Sequence, residues 1–194
     1  PEELAEMGRQ YLQRAQIQRG AAPFFVDKMP FNFQHVGLIR MMLPGARIVH
    51  VNRHPMALGF SIFQQLFRFG QDWAFDLAQI AQYYLAYSGL VQFWSAQAPG
   101  SMIQVQYETL VRSPEASIAT LLQQLELPGE PACFAPHENR RPVRTASSEQ
   151  VRRPLHTAAV EYWRLFEYHL EPLRLALGPA AATPPHSNHL AGGD

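Results

Sequence analysis

One ten-residue stretch constrains this chain more than any other: Ala46-Arg47-Ile48-Val49-His50-Val51-Asn52-Arg53-His54-Pro55. Ile48, Val49 and Val51 form a short β-branched run, the pattern of a strand buried on both faces of a parallel sheet. The run stops at Arg53. Pro55 then stands where a helix can begin, because proline suits a first turn and is excluded from a helix interior. Ser61 lies about two turns into that helix at 3.6 residues per turn. One strand end therefore delivers a guanidinium, and the next helix delivers a hydroxyl to the same crevice. In open α/β sheets that crevice, outside the carboxyl ends of the strands, is where ligands bind.

The flanking pattern extends this unit in both directions. Residues 2 to 19 read as a helix with Leu4, Met7, Tyr11 and Ala15 on one face, closed by Gly20. Phe24-Phe25-Val26 reads as a short strand, and Asn32 as the cap of a helix carrying Val36, Ile39 and Leu43. Past the helix from Pro55 to about Phe67, Asp72 can cap a long helix with Leu77, Ile80, Tyr84, Tyr87, Val91 and Trp94 at threes and fours. Residues 102 to 108 form a third strand, and Ser113-Pro114-Glu115 starts a further helix running to about Glu126. A polar, arginine-bearing stretch from Pro136 to Pro154 precedes a final helix with Val160, Trp163, Leu170 and Leu173, interrupted at Pro172. Strands alternating with helices imply an α/β fold with a parallel sheet flanked by helices and right-handed crossovers. Three strands are few for so many helices, and the expectation is that an N-terminal strand is missing.

Composition bounds the chemistry. With 194 residues and 47% apolar content the chain can bury a real core, so one domain is expected over residues 1–178, with residues 179–194, rich in Ala, Pro, His and Gly, a disordered tail. Lys and Arg balance Asp and Glu at 16 each, which disfavours nucleic acid as the main partner, since neutralising a phosphate backbone needs clustered cations. The single cysteine, Cys133, excludes an internal disulfide and suits a reducing, cytoplasmic compartment. No His or Cys pair stands at ligand spacing, so no metal site is expected, and no apolar run of about 18 residues suggests a membrane span.

Four motifs in order carry a resemblance: Asp27-Lys28-Met29-Pro30-Phe31-Asn32; Arg53-His54-Pro55 with Ser61; Val105-Gln106-Tyr107-Glu108-Thr109-Leu110; and the segment from Arg144 to Pro154. Together, over residues 23 to 176, they resemble sulfotransferases, most closely bacterial ones with upstream tetratricopeptide repeats and more distantly tyrosylprotein sulfotransferases. The resemblance implies a P-loop-kinase-like fold and 3′-phosphoadenosine 5′-phosphosulfate as sulfuryl donor, with a hydroxyl on a protein, glycan or small molecule as acceptor. It assigns Arg53 and Ser61 to the donor's 3′-phosphate, where a planar cation and a hydroxyl suit a dianion. Tyr107 falls near the adenine, and Arg153, with Arg152, on the 3′-phosphate side. Lys28 and Ser147, with Ser148 one register away, fall at the transferring group, where a cation offsets charge as the sulfur–oxygen bond breaks. The residues by themselves also admit plainer roles: Arg53 beside a carboxylate, Ser61 in solvent, Lys28 paired with Asp27, Tyr107 packed at a strand end, and Arg152 with Arg153 solvated.

The departures are as informative. The family's 5′-phosphosulfate loop and the glutamate base that follows it have no counterpart, because no Gly is followed by Thr-Thr or by Lys and Ser or Thr. His54 stands where relatives carry Asp, and Gln65 where tyrosylprotein enzymes carry a phosphate-binding Arg. The expectation is a sulfotransferase fragment retaining the 3′-phosphate half of the donor site. The alternative is an inactive nucleotide-binding or interaction module built on the same half-site.

Overall fold

Helix α1 (Glu2–Arg19) has Glu2 and Glu3 in its first turn and Arg19 in its last, the charge order that complements the helix dipole. It ends at Gly20, as the sequence indicates, with φ of +61°. Helix α2 (Val36–Met42) packs against it. The two approach so closely at Gly8 that a Cβ there would lie 2.1 Å from the Met42 carbonyl oxygen. The computed structural model describes residues 2–67, 70–139, 152 and 155–182.

Residues 24–26 are not a strand. Phe24 and Val26 are 67% and 91% exposed, and their β propensity has no neighbouring strand to pair with among the described residues, which is what turns an extended segment into a strand. Asn32 does not cap α2. It lies inside a 3-10 turn, Pro30–His35, where its N–H donates to the Met29 carbonyl.

Strand β1 (Ile48–Asn52) leads into α3 (Pro55–Phe63), with Pro55 in the first turn. A 3-10 turn (Asp72–Phe75) comes before the long helix α4 (Leu77–Gln97). The cap of α4 is Asp76 rather than Asp72: its Oδ1 accepts the Gln79 N–H at 2.8 Å. Strand β2 (Met102–Gln106) stops two residues earlier than the apolar pattern suggests, and Tyr107 opens a short helix, α5 (Tyr107–Arg112). Helix α6 (Pro114–Gln124) follows with Pro114 in its first turn, then α7 (Pro131–Phe134). The C-terminal segment is α8 (Ala158–Glu161), a 3-10 stretch (Tyr162–Leu170) and α9 (Glu171–Leu177). Pro172 starts α9 rather than breaking a helix, consistent with its tolerance for a first turn. A last 3-10 turn spans Gly178–Ala182.

Among the described residues the sheet has two strands, β1 beside β2, in parallel. The fold is α/β, mostly helical around that small sheet. Contrary to the sequence expectation, β1 is not apolar on both faces. Val49 and Val51 share a face and are 38% and 53% exposed, because side chains alternate along a strand and a two-stranded sheet is too narrow to bury both sides. The opposite face carries Ile48 and two polar residues: His50 Nδ1 lies 2.7 Å from Gln104 Oε1, and Asn52, fully buried, donates to the same oxygen at 2.9 Å.

The chain divides into two compact units, Pro1–Ile48 with Tyr87–Met102, and Val49–Ala86 with Ile103–Asp194. The second has its core where α3 meets the C-terminal segment. Met56, Ala57 and Phe60 of α3, Ile80 and Ala81 of α4, and Trp163, Leu170, Leu173 and Leu177 are all buried. Phe60 stacks on Phe166 with centroids 4.8 Å apart. A Cβ on Gly59 would lie 2.7 Å from Leu173 Cδ2, and Leu173 is itself fully buried. Gly59→Ala is therefore expected to destabilise the fold by about 1–3 kcal/mol through overpacking, read as an earlier midpoint in urea unfolding. Gly45→Ala, whose Cβ would have nothing within 4 Å, should unfold close to the parent; equal midpoints for the two variants would refute the packing.

Candidate functional site

The site is built at the carboxyl ends of β1 and β2. Arg53 leaves β1 half-buried. One terminal nitrogen donates to the Ala159 carbonyl at 2.8 Å, and the guanidinium carbon lies 4.8 Å from the centroid of the Tyr107 ring. A cation over an aromatic face is worth about 0.5–1 kcal/mol, and here it also fixes the plane of the fork. The Arg53 Nε is buried and finds no partner among the described residues, although a guanidinium carries five donors and buried donors are normally paired. The corner thus offers an unsatisfied cationic donor beside an aromatic ring, the chemistry of an anion next to a planar base.

The backbone N–H of His54, the next residue, donates to Glu108 Oε1 at 2.9 Å. Glu108 Oε2 accepts from the Gln106 side-chain amide. Glu108 is 9% exposed and is the one charged residue buried among the described residues. The hydroxyl of Tyr84, also buried, is pushed up to about 12 by burial first and by the Glu108 charge second. The His54 ring stacks on Trp163 at 5.2 Å and 17°, and Arg164 lies over the indole on a 4.7 Å contact. A pocket of about 260 Å³ opens here, with Glu108, Arg112, Trp163 and Arg164 in its lining. Glu161 at its rim accepts from Arg112 and Arg164, and the Arg164 hydrogen bond chiefly holds its carboxyl below the usual range.

Of the residues singled out from sequence, Arg53 and Tyr107 are in direct contact. Ser61 is half-buried on the last turn of α3, and α3 is rooted at the same strand end. Tyr107 is the first residue of α5, not the end of a strand. Lys28 is exposed on the irregular segment after residues 24–26 and belongs to the first unit. Its neighbour Asp27 accepts the hydroxyl of Tyr11, whose pKa burial and that carboxylate push up to about 12. Arg152 is exposed. Ser147, Ser148 and Arg153 lie outside the described residues. Glu108, His54 and Trp163 were not expected at the site. The signal for Glu108 was present: an acid directly following a strand's aromatic end, at the start of a helix, has a helix terminus to serve. Trp163 had no such signal, since its ring reaches the corner from over a hundred residues away.

The fold is of the α/β class, with an arginine and an aromatic ring at adjoining strand ends. Within that class the chain is a member of the sulfotransferase family, whose sequence profile matches residues 2–131. It is also similar to an uncharacterized protein of Aquifex aeolicus (strain VF5), 35% identical over 173 residues, covering 88% of this chain and 23% of the relative. In structure it resembles the sulfotransferase domain from the curacin biosynthetic pathway, with a TM-score of 0.62 and 18% identity over 80% of this chain and 60% of that one. The chain thus spans about a quarter of the curated relative it matches. Among the described residues no cluster of His, Cys, Asp or Glu could hold a metal ion, and no helix is long and apolar enough to cross a membrane.

His54 gives the corner a pH signature. Burial, more than any other influence, holds its ring below the ordinary 6.5; Arg164 acts in the same direction, and Glu108 and Glu161 oppose them. Its Nδ1 is buried and finds no partner among the described residues, so the folded state prefers the neutral ring. A base depressed on folding contributes stability in full above its unfolded value and loses it as pH falls through the folded one. Stability should therefore decline below about pH 6.5. In His54→Phe, which keeps the stack on Trp163 and removes the titration, urea midpoints at neutral and acidic pH should lie closer together. An unchanged gap would rule His54 out as the source.

Proposed function

We propose that the chain serves sulfuryl transfer from 3′-phosphoadenosine 5′-phosphosulfate to an acceptor hydroxyl on a protein, glycan or small molecule, and that the corner of β1, α3 and α5 holds the donor's 3′-phosphate and adenine. The observation that carries this is Arg53: laid on the Tyr107 ring, tied by one nitrogen to Ala159, and left with a buried, unpartnered Nε. A 3′-phosphate would satisfy that donor with a charge-assisted hydrogen bond, and Ser61 would add a hydroxyl. By the family resemblance, Arg153 would also serve the 3′-phosphate.

In the reaction the acceptor oxygen bonds to sulfur, the bridging oxygen leaves on the nucleotide phosphate, and the acceptor proton passes to a base. Lys28 and Ser147 are the residues proposed to stabilise the transferring group, through charge and hydrogen bonding that grow in the transition state. The 194 residues contain no Gly followed by Thr-Thr and no glutamate after such a turn, so the 5′-phosphosulfate and the acceptor proton need residues beyond those assigned here. That same feature favours a second reading, a binding module that holds the nucleotide without turning it over.

Two measurements test the assignment of the 3′-phosphate and the need for further residues. Calorimetry with adenosine 3′,5′-bisphosphate should show Arg53→Ala binding about 10- to 100-fold more weakly, the range expected for losing hydrogen bonds to a charged group. Equal affinity would remove the 3′-phosphate assignment. In a sulfate-transfer assay this polypeptide should show turnover near background; rapid turnover would mean that a segment within it replaces the missing loop.

A further inference from the structure

We propose that Glu108 is the positioning residue of the Arg53 clamp: by gripping the backbone amide that follows Arg53, it sets where the guanidinium leaves the strand and where α3, with Ser61, begins. This rests on the reading of Arg53 as the 3′-phosphate residue and adds a component that the four motifs leave without a role.

The geometry is specific. His54 is the N-terminal cap position of α3, and its N–H points at Glu108 Oε1, 2.9 Å away. His54 lacks a side-chain capping bond of its own, so the carboxylate from α5 acts as the cap, supplying an anion at the positive end of the helix. The other oxygen is held by the Gln106 amide, which prevents the carboxylate from turning away. Tyr107, joined to Glu108 by a peptide bond, lies under the Arg53 guanidinium. One dipeptide thus holds the arginine by its ring and the arginine's strand end by its carboxylate.

The sign of the electrostatics makes the idea testable. A buried negative charge beside an anion site weakens anion binding by repulsion. If charge were the whole effect, its removal would tighten the nucleotide. If reach is what matters, the charge is dispensable and the length of the side chain is not. Glu108→Asp keeps the charge and withdraws the carboxylate by about one methylene, roughly 1.5 Å. Glu108→Gln keeps the reach and an acceptor oxygen, and Gln106 can turn its amide to present its own oxygen to the new NH2.

The experiment measures, by calorimetry on the whole chain, the ratio of affinities for adenosine 3′,5′-bisphosphate and adenosine 5′-phosphate. Parent, Glu108→Asp, Glu108→Gln and Arg53→Ala are compared, with thermal unfolding as a check that each is folded. Positioning predicts that Glu108→Asp lowers the ratio by about tenfold, in the direction of Arg53→Ala, and that Glu108→Gln stays within about twofold of the parent. A parent-like ratio in Glu108→Asp overturns the proposal, as does a loss shared equally by both nucleotides, or a ratio that rises in Glu108→Gln while Glu108→Asp is unchanged. An Arg53→Ala ratio equal to the parent's points instead to failure of the 3′-phosphate reading itself.

Discussion

A single buried carboxylate ties the two strand ends together. Placing Glu108 out of water costs several kcal/mol unless its oxygens are satisfied, and both are: one by the amide of His54, the other by Gln106. The tie runs between residues 54 positions apart in sequence, and its direction follows from the helix ends it joins. Glu108 lies in the first turn of α5 and serves the start of α3. The strand-to-helix turns after β1 and β2 therefore hold each other. Neither conformation is a property of its own segment.

The C-terminal segment completes the corner from outside the sheet. Ala159 supplies the carbonyl for Arg53, Trp163 the surface for His54, Phe166 the partner of Phe60, and Leu173 the methyl groups against Gly59. These contacts form one stripe along residues 159–173, and they meet residues 53–60, where β1 ends and α3 runs. Burial of Trp163, Leu170 and Leu173, each worth about 1.5–3 kcal/mol or more, thus serves a local purpose besides stability. It immobilises the element from which the guanidinium projects. A long side chain held at its stem, its face and one nitrogen has already lost most of the rotamer freedom that binding would otherwise remove.

The parts legible in the sequence were those set by local chemistry. The proline at the start of α3, Gly20 at the end of α1 and the helical periodicity of residues 77–97 have causes within a few residues and formed as read, although α3 ends at Phe63 rather than near Phe67. Long-range pairing decided the parts that differed. Phe24-Phe25-Val26 has the propensity of a strand and lacks a partner. Val49 and Val51 have the composition of a doubly covered strand and one exposed face. Asp72 and Asp76 are equally good caps by type, and only the turn between them selects Asp76. At the site, Arg53 and Tyr107 could be named from their motifs. Their contact, and the roles of Glu108 and Trp163, depend on the sheet that brings residues 53 and 107 side by side.

The arrangement also separates what binds from what accelerates. On the proposed reading the 3′-phosphate does not change charge or geometry during sulfuryl transfer, so Arg53 and Tyr107 hold substrate and transition state alike. Such uniform binding lowers KM without raising kcat. Its catalytic value lies in orientation: a nucleotide fixed at its 3′ end has a defined direction for the leaving phosphate, which converts remote binding energy into alignment at sulfur. Rate must come from groups whose interactions strengthen as the sulfur–oxygen bond breaks, the role proposed for Lys28 and Ser147. On that proposed reading the corner's demands end at the nucleotide, and the acceptor chemistry places none on it.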